Sequence, residues 1–281
     1  MSVSASMGLA LPASAHAPAI ASSLAVSGAP LIRARGLVKV YSTVSGDAVV
    51  ALDGMDLSMA DGEFVSIVGP SGCGKSTMLR LIAGLDKPDA GEMMLSGEPI
   101  TGPSRAVGVV FQNATLLPWM TVWQNVILPL QVGGDNCGGG REAVVKQYLQ
   151  IAGLSGFENK YPYELSGGMQ QRAAIVRGLA RDPKVLLMDE PFGALDALTR
   201  ERMNVELQRI WQANKKTILL ITHSIGEAIF LGDRVVVMSG RPGRVLEDLR
   251  VNLPRPRNHV DTVADPEYIR LAREIRQMLD A

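Results

Sequence analysis

The spacing of apolar positions changes along this chain and predicts its elements in turn. Phe64, Val65, Ile67 and Val68 form a short β-branched run that reads as a buried strand. Met78, Leu79, Ile82 and Ala83 then recur at helical spacing up to Gly84, a natural C-cap. Upstream, residues 31–41 and 48–59 read as strands of a small antiparallel layer, with Asp61-Gly62 as a hairpin turn into the Phe64 strand. Downstream, 93–100 reads as a short strand pair and 106–111 as a buried strand ending at Gln112. Apolar strands return at 185–189, 217–221 and 235–238, alternating with helical patterns, which predicts a mostly parallel sheet with its ligand edge at the strands' carboxyl ends.

Between 113 and 161 that rhythm stops. An apolar stretch at 121–132 is broken by Pro129, 133–140 reads as a flexible loop, and Val144, Val145, Tyr148, Leu149 and Ala152 mark a helix over 141–154. A second helix is expected from Met169 to about Arg181, with Ser166 as its N-cap. The expectation is a helical subdomain over about 113–172, inserted into the α/β fold. Leu116, Leu117, Trp119 and Trp123 stand near its start, either as subdomain core or as part of a groove for another protein's helix. At the end, Asp265 caps a helix with Pro266 in its first turn, and Ile269, Ala272, Ile275, Met278 and Leu279 form its apolar face. The domain expectation is a disordered Ala/Ser/Pro-rich tail over 1–30, one ATPase-type domain over 31–250, and an extension over 251–281 with a short helix.

Composition narrows the class. With 281 residues, 47% of them hydrophobic, the chain can bury a sizeable core. Lys+Arg and Asp+Glu both number 28, which argues against a dedicated nucleic-acid binder. The two cysteines, Cys73 and Cys137, lack metal-ligand spacing and fit a reducing compartment. No apolar run approaches the roughly 20 residues that span a bilayer, so membrane association has to go through a partner.

The chemistry concentrates at Gly69-Pro70-Ser71-Gly72-Cys73-Gly74-Lys75-Ser76-Thr77, between the Phe64 strand and the following helix. Strand, glycine loop and helix in that order form a phosphate cradle: glycine backbone lets N–H groups face an anion, and the helix start adds its positive end. Lys75 would reach the β- and γ-phosphates and Ser76 would hold Mg²⁺. The loop alone does not choose between kinase, GTPase and transport motor. Ser166-Gly167-Gly168 is a second anion-binding helix start, or a plain capped helix. Tyr41 is either an adenine-stacking ring or a core tyrosine, and Gln112 lies beyond a strand end where ligands are contacted.

In their order, GPSGCGKST, Gln112, LSGGMQQR, VLLMDE, GALD and His223 resemble the ATP-binding subunits of ABC transporters, over about residues 31–255. That resemblance implies a P-loop NTPase of the RecA-like kind with an antiparallel β layer and an inserted helical subdomain, using ATP and Mg²⁺. It implies Lys75 on the phosphates, Ser76 and Asp189 around Mg²⁺, Gln112 on the metal, the γ-phosphate and the attacking water, Glu190 as the general base or water-orienting carboxylate, His223 on the γ-phosphate, and Tyr41 on adenine. It places Ser166, Gly167 and Gly168 on the ATP of a second copy in a head-to-tail homodimer, with Asp196 coupling the two sites. Met169 stands where the commonest signature has Gln. Phrases such as LLPWMTVWQNV, DEPFGALDALTRERM and MSGRPGRV followed by LPRPR look like the nitrate/sulfonate/taurine importer subgroup, with thiamine-precursor and bicarbonate relatives close by. The implied partners are permease subunits and, indirectly, a solute-binding protein, with the chain at the cytoplasmic face of the membrane. A soluble ABC-type ATPase acting on nucleic acid or ribosomes, and a small-molecule P-loop kinase, are the competing readings.

Overall fold

Strand β3 (Phe64–Val68) lies inside a six-stranded sheet with β6 (Val107–Val110), β7 (Val185–Asp189), β8 (Thr217–Ile221), β9 (Arg234–Met238) and β10 (Val245–Arg250), in the order β10-β9-β3-β8-β7-β6. The computed structural model describes residues 29–42, 47–132, 140–193 and 195–280. Most of the expected tail, the loop over 133–139 with Cys137, and Ala194 lie outside the described residues. All pairings from β9 to β6 are parallel, and β10 runs antiparallel to β9. Period-two alternation sorts side chains between the faces. Phe64, Ile218, Leu220, Leu186 and Met188 join one core, whereas Val65, Ile67, Leu219, Ile221, Val185 and Leu187 join the other. Each such side chain contributes about 1.5–3 kcal/mol by leaving water.

The second core is closed by α1 (Lys75–Ile82) and by an antiparallel sheet of β1 (Ile32–Ser42), β2 (Ala48–Met59), β4 (Ala90–Leu95) and β5 (Glu98–Pro99), ordered β2-β1-β4-β5. The Asp61-Gly62 turn is present, with Gly62 at φ 73°. It is not a hairpin, however: β2 pairs with β1, whereas β3 enters the other sheet beside β8 and β9. Local turn chemistry bends a chain without choosing which strand it will meet.

The first core is covered by α2 (Val122–Val132), α3 (Gly140–Ile151), α4 (Gly167–Leu179) and α5 (Ala197–Asn214). Pro129 sits inside α2 rather than breaking it. Thr121 and Gln124 form a reciprocal capping box at the start of α2, with bonds of 3.2 and 2.9 Å. Buried Asn125 pins the preceding loop through the carbonyls of Leu117, Met120 and Thr121 and the N–H of Leu117. Leu116 and Trp123 pack on this core, while Trp119 is 68% exposed. Strand β6 is the sheet's edge and only partly buried, so the expected buried strand at 106–111 is shorter and more open.

The C-terminal extension is larger than one short helix. It holds α7 (His259–Ala264) and α8 (Pro266–Asp280), and α8 packs on β9 and on α6 (Ile225–Leu231). Asp265 accepts from the Glu267 N–H at 2.8 Å. Leu271 and Ile275 are the buried anchors, and Ile269, expected on the apolar face, is exposed. Buried Arg257 donates to the carbonyls of Ile229, Phe230 and Gly232, at the carboxyl end of α6. Burial lowers its pKa to about 10.

Candidate functional site

The strand order decides which loops meet. β3, β8, β7 and β6 are consecutive neighbours, so the segments after their carboxyl ends form one row: the Gly69 loop, Thr222-His223, Asp189-Glu190 and Gln112.

The Gly69–Thr77 loop wraps the start of α1. Gly74 adopts φ 105°, and a Cβ there would lie 2.6 Å from the Ala51 carbonyl oxygen and 2.8 Å from Leu52 Cδ2. Glycine is the residue this position admits. Lys75 is only 6% exposed, and its Nζ donates to the carbonyls of Gly69 and Pro70, both at 2.8 Å. Its charge is thereby held inside the concave side of the loop, against neutral oxygens. Ser76 and Thr77 follow on α1, and the Ser76 hydroxyl donates to Asp189 Oδ1 at 3.2 Å. Burial pushes the Asp189 carboxyl above its ordinary value, against the pull of the Ser76 hydroxyl. Cys73 is buried and free.

Glu190 adopts φ 44°, a left-handed conformation uncommon for a side-chain-bearing residue, and its N–H donates to Ile221 O at 2.8 Å. This turn carries Glu190 toward β8, where its Oε2 lies 3.1 Å from His223 Nδ1. A Cβ on Gly193 would come within 3.3 Å of Gln112 Nε2 and 3.5 Å of Glu190 Oε2, so these two side chains converge over the same glycine. A lysine-lined anion cradle, a hydroxyl beside a carboxylate, and a carboxylate–imidazole pair therefore stand together.

Tyr41 ends β1 near this cradle. Its hydroxyl donates to Asp86 Oδ2 at 2.9 Å, and Lys39 Nζ lies 5.3 Å from its ring centroid. Burial raises the phenol pKa, and a bond with Thr77 works against that shift. Ser166, Gly167 and Gly168 are not part of this row. They start α4, where Ser166 Oγ accepts from the Met169 N–H at 3.3 Å as expected of an N-cap. Asp196 also caps a helix, accepting from the Thr199 N–H at 3.0 Å at the start of α5.

Several supporting residues have a structural role that the phrases around them do not announce. Arg241, from the β9–β10 loop, donates to Gly72 O at 3.3 Å. Gln171 and Arg177 of α4 hold the carbonyls of Phe111, Ala114 and Thr115, on both sides of Gln112. Arg200 holds Phe192 O and Leu195 O in the loop after Glu190. Arg241, Gln171 and Arg177 pair with carbonyls 60 or more positions away and Arg200 with carbonyls of the loop just before its helix, contacts that periodicity does not encode.

Residues 52–193 match the family described as ABC transporter. The nitrate import ATP-binding protein NrtD of Synechocystis sp. is 49% identical over 237 residues, covering 83% of this chain and 89% of NrtD. The bicarbonate transport ATP-binding protein CmpC of Synechococcus elongatus is 44% identical over 251 residues, 89% of this chain but 38% of CmpC's length. Among solved structures, the dimeric post-hydrolysis ATP-binding cassette MJ0796 bound to ADP and Pi is 34% identical, with a TM-score of 0.69 over 79% of this chain and 100% of that one. The family match runs through the phosphate loop, Gln112, the second glycine helix start and the Asp189-Glu190 strand end, and this chain belongs to the ABC transporter ATP-binding family and is an ATPase.

Proposed function

We propose that the chain is the energy-coupling subunit of an ABC importer, with nitrate, aliphatic sulfonates or taurine as the principal solutes. Bicarbonate, favoured by the similarity to CmpC, or a thiamine precursor is the alternative. The observation that carries the reading is the row of Lys75, Asp189, Glu190, Gln112 and His223 along one sheet edge, with Ser166–Gly168 displaced from it.

In this reading the loop N–H groups of residues 69–77 and Lys75 hold the phosphate chain, and Tyr41 stacks on adenine. Ser76 Oγ and Asp189 Oδ1 are hard oxygen donors 3.2 Å apart beside the cradle, a set that fits Mg²⁺. Among the described residues no larger cluster of carboxylates, histidines or cysteines competes for a metal. Gln112 completes the Mg²⁺ surroundings; bound there, the ion would neutralise charge on the β- and γ-phosphates. Glu190 accepts a proton from, or orients, the attacking water, and His223 steadies the γ-phosphate. Ser166, Gly167 and Gly168 face the ATP of a second copy across a two-fold interface, with Asp196 linking the two sites. Cleavage of the γ-phosphate opens the pair and moves permease subunits, which receive solute from a solute-binding protein. The chain then sits at the cytoplasmic face of the membrane through the permease; no helix among the described residues is long and apolar enough to cross a membrane itself.

The test is affinity purification of tagged Glu190→Gln protein from solubilised membranes of its own host with ATP and Mg²⁺, followed by ATPase assays of the wild-type complex with candidate solutes. Co-purification of a polytopic membrane protein, and stimulation by nitrate, a sulfonate or taurine, are expected. Recovery of ribosomes or nucleic acid without a membrane protein would overturn the transport reading, and stimulation by bicarbonate alone would move the solute to the alternative.

A further inference from the structure

Behind His223 lies a carboxylate with no part in the scheme above. Glu227, in the first turn of α6, is 5% exposed. Its Oε2 accepts from the Thr222 hydroxyl, and its Oε1 has no hydrogen-bond partner among the described residues. Thr222 is itself buried, and its N–H extends the β8–β3 pairing by donating to Ile67 O at 3.1 Å. Its Oγ1 also accepts from the Ser224 N–H at 3.0 Å, and Ser224 Oγ accepts from the Glu227 N–H at 3.3 Å. These bonds close a ring around the turn between β8 and α6. His223 lies inside that ring in sequence and points out of it, 52% exposed at its side chain, toward Glu190.

A buried carboxylate with one free oxygen is costly to keep, and a hydrophobic residue of similar size would fill the space without that cost. Burial pushes the Glu227 carboxyl above its ordinary range, against the Thr222 bond and the Arg200 and His223 charges. Three of the groups that act on it belong to the row already described or to its support: His223, Glu190, and Arg200, which holds the loop after Glu190. Glu227 therefore lies within electrostatic reach of the imidazole–carboxylate pair, and its direct contacts are with Thr222 and Ser224 on either side of His223.

We propose that Glu227 is a positioning residue for ATP hydrolysis, acting through Thr222 to lock the turn that aims His223 at Glu190 and at the phosphate beyond it. The inference rests on the reading of His223 as a group that acts on the γ-phosphate. What the lock needs from residue 227 is an acceptor for the Thr222 hydroxyl, which the amide oxygen of Gln supplies as well as a carboxylate does. A rigid support of this kind changes the rate of the chemical step and leaves nucleotide affinity in place, because Lys75 and the loop backbone lie on another element.

The experiment measures kcat, KM for ATP and melting temperature for the wild type and for Glu227→Ala, Glu227→Gln, Thr222→Val, His223→Ala and the His223→Ala/Glu227→Ala pair. Expected are kcat losses of about tenfold for Glu227→Ala and Thr222→Val with KM within about twofold, and near-complete rescue in Glu227→Gln. Adding Glu227→Ala to His223→Ala should cost nothing further, since the aimed group is gone. Thr222→Val removes the same bond from the strand side and stands in if Glu227→Ala does not fold. Unchanged kcat in Glu227→Ala, or a tenfold loss that persists in the His223→Ala background, overturns the positioning role while leaving the reading of His223 intact. Unchanged kcat in His223→Ala overturns both.

Discussion

The starts of α1 and α4 both present glycine-flanked N–H groups, yet they differ in what surrounds them. At α1 the helix has no side-chain cap, Gly74 adopts φ 105° with no room for a Cβ beside Ala51 and Leu52, and Lys75 fills the cradle. Three more strand ends bring Asp189, Glu190, Gln112 and His223 to that place. At α4 the Ser166 side chain already satisfies one N–H, and Cβ atoms built on Gly167 and Gly168 would meet Leu195, Thr199 and Met203. One start is embedded in a set of ionisable partners; the other offers donors against neutral side chains. Glycine at a helix N-terminus supplies half of an anion site, and the sheet edge decides where the other half lies. The second start is what the proposed trans role requires: donors left for a phosphate that arrives on another copy.

The largest effect in this comparison is expected at the α1 side. Glu190→Gln should lower ATP turnover by about 10²–10⁴-fold, the scale of a lost general base, while a filter-binding assay still finds nucleotide bound. Unchanged turnover would detach Glu190 from the reaction. At the α4 side, Gly167→Asp sharpens the contrast. Among the described residues a Cβ there meets Leu195 Cδ2 at 3.8 Å, an ordinary contact, and a carboxylate in the first turn favours the helix, so melting should not fall. A phosphate docking from a partner would be repelled, and turnover should drop by roughly 10²-fold with binding to the single subunit retained. Loss of binding in the monomer would mean that α4 serves its own chain's nucleotide.

Gly74→Ala should act on stability as well as on binding. It forces a Cβ into the Ala51 carbonyl at φ 105°, at a cost of about 1–3 kcal/mol read by denaturant titration, together with weakened nucleotide affinity. The smallest effect lies beyond the end of α4. Asp182 pairs with Lys216 at 2.8 Å and Arg141 at 3.2 Å, which hold its carboxyl below the ordinary 3.8. A depressed folded pKa gives stability that is present above about pH 4 and lost as pH falls through the folded value. Asp182→Asn should therefore lower the melting temperature slightly at pH 7, by an amount that shrinks as the pH falls below about 4, a modest difference because the pair is partly exposed and screened.

Much of the architecture was legible because local signals agreed with the global fold. The β3–loop–α1 unit, the Ser166 cap and the apolar strands at 185–189 and 217–221 follow their periodicity and capping residues. Asp61-Gly62 misled because its turn chemistry is shared by hairpins and by crossings between sheets. Pro129 misled because a proline in α2 costs one backbone bond, which packing against α4 offsets. Leu271, on the helix of the C-terminal extension, was missed and Ile269 overrated. Both belong to one amphipathic pattern, and docking onto β9 and α6 selects which edge of it is covered.

By itself the sequence determined the chemical parts: glycines where a phosphate can approach, a lysine at the helix start, two carboxylates at a strand end, and a histidine after the next strand. These are properties of residue type and short spacing, set by sterics and by where backbone N–H groups point. Only the tertiary structure decided that the parts meet, since Ser76 and Asp189 stand 113 positions apart and Glu190 and His223 stand 33 apart. It also decided that Glu227 turns its carboxylate toward Thr222 behind His223 instead of toward solvent. The reason is strand order: the neighbours β3, β8, β7 and β6 are set by burial of both sheet faces, a condition on the whole chain that no single stretch carries.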